Sequence, residues 1–173
     1  MISVELVKIP SERVRALMEN DGEAKALIER LAKVSISVSD EGDVEITGES
    51  VDEYFARDII KAIGRGFSPN DALLLLKEDY TLKIINLKEY VHSDEAVRRL
   101  KGVIIGEKGK TKLTIEEVTR AHLSIYGKTV GVIAPLDSID IAITAIFKFI
   151  EGASHSTVYT YLEKNRRRLQ EME

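Results

Sequence analysis

Residues 98–113 read Arg98-Arg99-Leu100-Lys101-Gly102-Val103-Ile104-Ile105-Gly106-Glu107-Lys108-Gly109-Lys110-Thr111-Lys112-Leu113. The apolar spacing before the first glycine predicts a helix from Asp94, as its N-cap, to about Ile104. A second helix is expected from Lys110 to about Thr119. Between them stands Gly106-Glu107-Lys108-Gly109. A Gly-x-x-Gly alone says little, because 11 glycines in 173 residues supply about one by chance. Its place between two helices says more. Two glycines let the backbone turn sharply and approach a ligand without a Cβ in the way. The N–H groups that open the next helix point into the same space, where the helix dipole favours an anion. Lys108 and Lys110 add mobile positive charge. The pattern is that of a phosphate clamp. A Walker loop would need glycine at position 104, where Ile104 stands, and a preceding strand. A dinucleotide fingerprint would need a third glycine. A helix–Gly-x-x-Gly–helix clamp, used to hold a nucleic-acid backbone, agrees with all the local signals.

The elements around this stretch occur twice. In the first half, Ile2 to Lys8 alternates as a strand. Helices follow from Pro10-Ser11 to about Asn20 and from Glu23 to about Lys33, broken at Asp21-Gly22. Val34, Ile36 and Val38 alternate with serines as a half-buried strand. Glu41-Gly42-Asp43 turns the chain into a return strand, Val44 to Thr47. A helix then carries Val51, Phe55, Ile59 and Ile63 on one face. The second half gives a strand from Tyr80 to Leu87, the two helices flanking the glycine loop, and a strand holding Leu123 and Ile125. A two-residue turn at Gly127-Lys128 and the strand Val130 to Ile133 come next. Pro135 then precedes a helix with Ile139, Ile143, Ile146, Phe147 and Ile150. Each half ends on a trailing helix, Pro69 to about Lys77 and Thr157 to about Glu171. Gly22 and Gly109 lie 87 apart, as do Val38 and Ile125, whereas Gly66 and Gly152 lie 86 apart. The expected architecture is α+β, with two tandem β-α-α-β-β-α units at 1–78 and 79–173. Each unit is a three-stranded antiparallel sheet on helices, and the period is too long for a solenoid.

Charge divides the same way. The chain carries 25 Lys plus Arg and 29 Asp plus Glu, a net of −4, which by itself argues against a nucleic-acid partner. Residues 1–78 hold 10 basic and 16 acidic side chains, whereas residues 79–173 hold 15 and 13. Within 98–128, eight basic residues (Arg98, Arg99, Lys101, Lys108, Lys110, Lys112, Arg120, Lys128) face three glutamates. With 44% hydrophobic and 31% charged residues the chain is not a disordered one. It shows no apolar run of transmembrane length and no signal peptide, so a cytoplasmic protein is expected. With no Cys there is neither a disulfide nor a thiolate nucleophile. His92, His122 and His155 are too scattered for a metal site, and no cofactor is expected. Glu116-Glu117 and Asp137/Asp140 have no organised nucleophile beside them, so no hydrolase or nuclease is read.

The β-α-α-β-β-α unit with Val103-Ile104-Ile105-Gly106-Glu107-Lys108-Gly109 resembles a K-homology (KH) domain of eukaryotic-type topology. The run Leu100 to Thr111 is more specific, as are the hairpin Ser124-Ile125-Tyr126-Gly127-Lys128-Thr129 and the stretch Ile150 to Tyr159. So is Ala62-Ile63-Gly64-Arg65-Gly66-Phe67-Ser68-Pro69 in the first half. Together they resemble archaeal members of the small-subunit ribosome-assembly KH family, the Dim-two or partner-of-Nob proteins. That likeness implies binding near the 3′ end of small-subunit ribosomal RNA. It also implies a Nob-type endonuclease and the alpha subunit of initiation factor two as protein partners. Two departures stand out. Lys112, followed by Leu113, occupies a place where many KH domains have an aliphatic residue, which leaves the helix register open. The first unit has Asn20-Asp21-Gly22-Glu23 where the loop belongs, and its carboxylates would repel phosphate.

The resulting assignment is a non-enzymatic, monomeric single-stranded-RNA binder. Gly106 to Gly109 clamp the sugar-phosphate backbone, and Arg98, Lys101, Lys108, Lys110 and Lys112 supply salt-dependent attraction. Val103, Ile105 and Leu123 form the apolar floor for unstacked bases, Gly102 is a further RNA-binding position, and Ser124 with the neighbouring strand backbone reads base edges. Glu107 points outward or bonds a base amino group. His155 and Ser156 are possible further RNA contacts, and Ile104 is a core residue. The alternative is a protein–protein adaptor whose acidic first unit docks a nuclease or translation-factor partner.

Overall fold

The computed structural model describes residues 1–172, and the chain forms two compact units, Met1–Glu78 and Asp79–Glu173. Glu173, the last residue of the expected second unit, lies outside the described residues.

The first unit runs β1 (Ile2–Lys8), α1 (Val14–Ala32), β2 (Ser35–Val38), β3 (Asp43–Glu49), α2 (Ser50–Gly64) and α3 (Pro69–Ala72). Its antiparallel sheet has the order β1-β3-β2, with Val7 opposite Val44 and Ile36 opposite Ile46. These four side chains are buried, as the period-2 alternation requires. Helix α1 is interrupted by non-helical backbone at Glu19, Asn20, Asp21 and Gly22, so it is two helices meeting at a turn. Two expectations need correction. Val51 is 69% exposed, because α2 buries the face made by Ala56, Ile59, Ile60 and Ile63 instead. The trailing helix stops after one α-turn, and Leu73–Leu76 continue as a 3-10 turn into extended Lys77.

The second unit runs β4 (Tyr80–Asn86), α4 (Asp94–Ile105), α5 (Lys110–Thr119), β5 (His122–Tyr126), β6 (Thr129–Pro135), α6 (Ile139–Ile150) and α7 (His155–Glu171). Its sheet has the order β4-β6-β5, with Ile85 opposite Val130 and Leu123 opposite Val132. The core joins Leu100 and Ile104 of α4, Ile115 of α5, Ile146 and Phe149 of α6, and Val158 and Leu162 of α7. Ile104 is fully buried. The N-cap of α4 is Ser93, not Asp94: the Ser93 hydroxyl accepts from the Ala96 N–H at 3.1 Å. Asp94 instead occupies the first helical turn, where its charge suits the dipole. Among the described residues no helix is long and apolar enough to cross a membrane.

The duplication reaches individual side chains. Lys25 pairs with Glu29 in α1, and Glu29 accepts the Ile36 N–H at 2.9 Å. Lys112 pairs with Glu116 in α5, and Glu116 accepts the Leu123 N–H at 3.0 Å. In both units a helix carboxylate thus satisfies an edge-strand N–H that no neighbouring strand takes. The helices before these strands end alike, on left-handed Lys33 and left-handed Arg120.

Candidate nucleic-acid interface

Helix α4 ends because Gly106 leaves the helical region, with φ 76° and ψ 173°. Its N–H still reaches the Gly102 carbonyl at 2.9 Å. A 3-10 turn, Glu107–Gly109, follows, with Lys108 and Gly109 both left-handed. Helix α5 starts at Lys110, and its N-cap, Gly109, offers no side-chain hydrogen bond. The Gly109 N–H donates to the Gly106 carbonyl at 3.2 Å and the Lys110 N–H to the Glu107 carbonyl, and no side chain caps the N–H groups that follow in the first turn of α5.

The two glycines are required for different reasons. A Cβ on Gly106 would lie 2.1 Å from the Thr111 Oγ1, so the loop packs directly on buried Thr111. A Cβ on Gly109 would meet nothing within 4 Å. Gly109 is instead demanded by its left-handed φ of 76°, and it leaves open space above the loop. Glu107, Lys108 and Lys110 are exposed around that space. Lys108 and Lys110 have no ion-pair partner among the described residues.

Arg98 is exposed and Lys101 half-buried on α4. Gly102 is exposed, with nothing within 4 Å of a Cβ placed on it. Val103 and Ile105 are half-buried, and Val103 packs against the core. Arg98, Lys101, Gly102 and Ile105 follow the i, i+3, i+4, i+7 spacing of one face of α4, which leads into the loop, and Val103 is turned off that face toward the core. Lys112 sits apart, its ammonium 3.7 Å from Glu116. The helix register is settled by α5 starting at Lys110: Thr111 and Ile115 face inward, and Leu113 is 54% exposed. Leu113 therefore does not replace the aliphatic residue missing at Lys112.

Two strand residues are placed differently from expectation. Leu123 is 5% exposed within the core, so it offers bases almost no surface. Half-buried Ile125, on the same face, is the more accessible apolar side chain of β5. Ser124 alternates to the opposite face of the sheet from Leu123, away from the helices that carry the loop. His155 turns back onto the protein: its Nε2 lies 3.0 Å from the Val103 carbonyl, and its ring lies 5.2 Å from that of Phe149. Ser156 is exposed in the first turn of α7. The bond from His155 was missed because nothing local in sequence links residues 52 positions apart.

The first unit keeps the last two left-handed residues of this loop and reverses the charge they carry. Asp21 (φ 58°) and Gly22 (φ 78°) are left-handed at the places held by Lys108 and Gly109 in the second unit. Glu19 stands where Gly106 does. The turn persists, but a carboxylate replaces the ammonium at its tip.

Residues 81–167 match the eukaryotic-type KH domain (KH-domain type I) in the form of the second KH domain of PNO1. A KH domain-containing protein of Methanocaldococcus jannaschii is 38% identical over 96% of this chain and 76% of its own length. The chain belongs to the Dim2/PNO1 family of KH-domain proteins. The crystal structure of Dim2p from Pyrococcus horikoshii superposes with a TM-score of 0.88 at 43% identity, covering 94% of this chain and 99% of that one. A chain in the a/eIF2alpha–aDim2p–rRNA complex of the same organism superposes with a TM-score of 0.91 at 42% identity, covering 97% and 96%. In this chain the glycine loop of the second KH unit combines an open left-handed turn with exposed Lys108 and Lys110, a geometry and charge that suit a polyanion.

Proposed function

We propose that this protein, an RNA-binding ribosome-assembly factor of the Dim2/PNO1 family, holds single-stranded RNA in its second KH unit, near the 3′ end of small-subunit ribosomal RNA. The observation that carries the site is the open, left-handed Gly109 at the uncapped start of α5, flanked by unpaired Lys108 and Lys110. A phosphate seated there accepts from backbone N–H groups, and the two ammonium groups supply long-range attraction. Arg98 and Lys101 extend the positive track along α4. Bases turn toward Gly102, Val103, Ile105 and Ile125, where small or apolar side chains leave room to stack. Lys112 adds less, because Glu116 already neutralises it. The protein acts by binding, without catalysis, as a cytoplasmic monomer.

The first unit serves a different partner class. Its loop keeps the turn but presents Asp21, whose carboxylate repels phosphate, whereas Glu19 is already paired with Arg15 at 2.8 Å. That reversal favours a protein partner for this unit, a Nob-type endonuclease or the alpha subunit of initiation factor two. The a/eIF2alpha–aDim2p–rRNA complex of the Pyrococcus relative supports the alpha subunit as a partner of the protein, and the charge of the first loop is what favours placing a protein on this unit.

The test is binding of an oligonucleotide from the ribosomal 3′ end by the wild type and by Gly109→Asp. The substitution should weaken binding at least tenfold by putting a carboxylate into the phosphate site. Equal affinity of the two proteins would remove the loop from the interface. Incubation with precursor RNA and a divalent metal should give no cleavage, and products above a blank would refute the non-catalytic reading.

A further inference from the structure

We infer that α7 is a working part of the RNA clamp, and that His155 and Tyr159 are positioning residues which set the geometry of the glycine loop from behind. The inference rests on the reading of that loop as the RNA site. Each helix flanking the loop is tied to α7 by one polar contact. On the α4 side, Val103 carries one of the last four carbonyls, which have no partner within the helix. It accepts from the His155 Nε2 at 3.0 Å. A carbonyl only accepts, so Nε2 carries the proton. The ring is held between Phe149 at 5.2 Å and Tyr159 at 6.2 Å. Its backbone is fixed by the N-cap of α7, where the Ser154 hydroxyl accepts from the Thr157 N–H at 3.2 Å.

On the α5 side, the Tyr159 hydroxyl and Thr111 Oγ1 are 2.9 Å apart. Thr111 is 1% exposed and is the residue on which Gly106 rests. The chain of contacts runs from Tyr159 to Thr111 to Gly106. It ends at the turn that opens α5 and sets the loop against which the phosphate is seated. Holding a loop in its bound conformation lowers the ordering cost of binding.

The first unit provides an internal comparison. At the offsets of the repeat, Thr111, His155 and Tyr159 correspond to Ala24, Pro69 and Leu73. None of these three has a side-chain hydrogen-bonding group. Where the second unit has these contacts, the first has a cleft of about 490 Å³, lined by Ala16, Ala24 and Pro69 beside Glu19 and Asn20. The ties are present behind the basic loop and missing behind the acidic one, although both loops end on two left-handed residues, Lys108 and Gly109 in one and Asp21 and Gly22 in the other.

The experiment uses the full chain and an oligonucleotide from the small-subunit ribosomal 3′ end, in a salt series. Tyr159→Phe and Thr111→Val should each weaken binding about fivefold, as loss of one hydrogen bond does. The double variant should be no weaker than either single one, because both remove the same bond. Thr111→Ser, which keeps the hydroxyl, should restore binding. Amide exchange should quicken at Gly106 to Thr111 and stay unchanged at Val130 and Val132. Thr111 is buried and cannot touch RNA, so any loss acts through the loop. Wild-type affinity in both single variants, or exchange quickened equally throughout the unit, would overturn the inference. Gly109→Asp is measured alongside. If it loses binding while the Tyr159 and Thr111 variants keep it, only the positioning role fails. If it too binds like the wild type, the loop itself is not the RNA site and both readings fall.

Discussion

A methyl group on Gly106 would sit 2.1 Å from the Thr111 hydroxyl oxygen, whereas one on Gly109 or Gly102 would meet nothing within 4 Å. Three alanine substitutions should therefore behave in three ways. Gly106→Ala should destabilise the second unit by about 2 kcal/mol, from overpacking and left-handed strain combined. Gly102→Ala lies inside α4 with free space around it, and should stabilise by about 0.5–1 kcal/mol. It should also lower RNA affinity, since the methyl occupies the surface along which bases are placed. Gly109→Ala should cost about 1–2 kcal/mol, from its backbone conformation alone. Thermal unfolding and RNA titration of the three variants check the order. At this scale the sequence identified the glycines and lysines of the loop, because their chemistry is local. It did not identify the Val103–His155 or Thr111–Tyr159 contacts, which join residues 52 and 48 positions apart. The burial of Leu123 was out of reach for a related reason, since alternation sets Leu123 and Ser124 on opposite faces of β5 but does not say which face lies on the helices.

At the scale of elements, each unit spends one helix carboxylate on an edge-strand amide, Glu29 on Ile36 and Glu116 on Leu123. Removing that acceptor strands the N–H at a half-buried edge, so Glu29→Ala and Glu116→Ala should each cost about 1–2 kcal/mol. Denaturant unfolding of each variant tests this, and the losses should be similar because the two motifs are built alike. The order and spacing of strands and helices followed from periodicity and turn residues, including the break of α1 at Asp21-Gly22. Element ends were less well specified. Ser93 rather than Asp94 caps α4, since both side chains suit that place and only backbone geometry decides. The four leucines after Ala72 form a 3-10 turn where a continuing helix was expected. Val51 fits the apolar stripe of α2 yet is exposed, because the stripe is longer than the surface it packs on.

For the molecule as a whole, the net charge of −4 conceals an acidic first unit and a second with a slight basic excess. The acidic unit also has its own pH dependence. Burial, and then the neighbouring Glu5, push the Glu53 carboxyl above its ordinary 4.5, against the pull of Arg57. Ser3 donates a hydrogen bond to it. The folded state thus holds the proton more tightly than the unfolded state, and stability falls as pH rises from 4.5 through the raised value. Glu53→Gln should flatten that decline, as followed by thermal unfolding of the first unit between about pH 4 and pH 7. Asp94 behaves oppositely. Its hydrogen bond with Lys88 lowers its carboxyl below 3.8, so its contribution is present above that pH and fades as pH falls through the lowered value.

The two units differ in the charge at the tip of their left-handed turns, Lys108 in one and Asp21 in the other, and the proposed RNA clamp rests on that difference. The decisive measurement is the salt dependence of RNA binding for the wild type and for Lys108→Asp, which gives the second loop the first loop's charge. Lys108→Asp should bind at least tenfold more weakly at low salt, with the slope of log K against log salt reduced by about 0.7 for the lost phosphate contact. An unchanged affinity and slope would contradict the assignment of the second loop as the clamp.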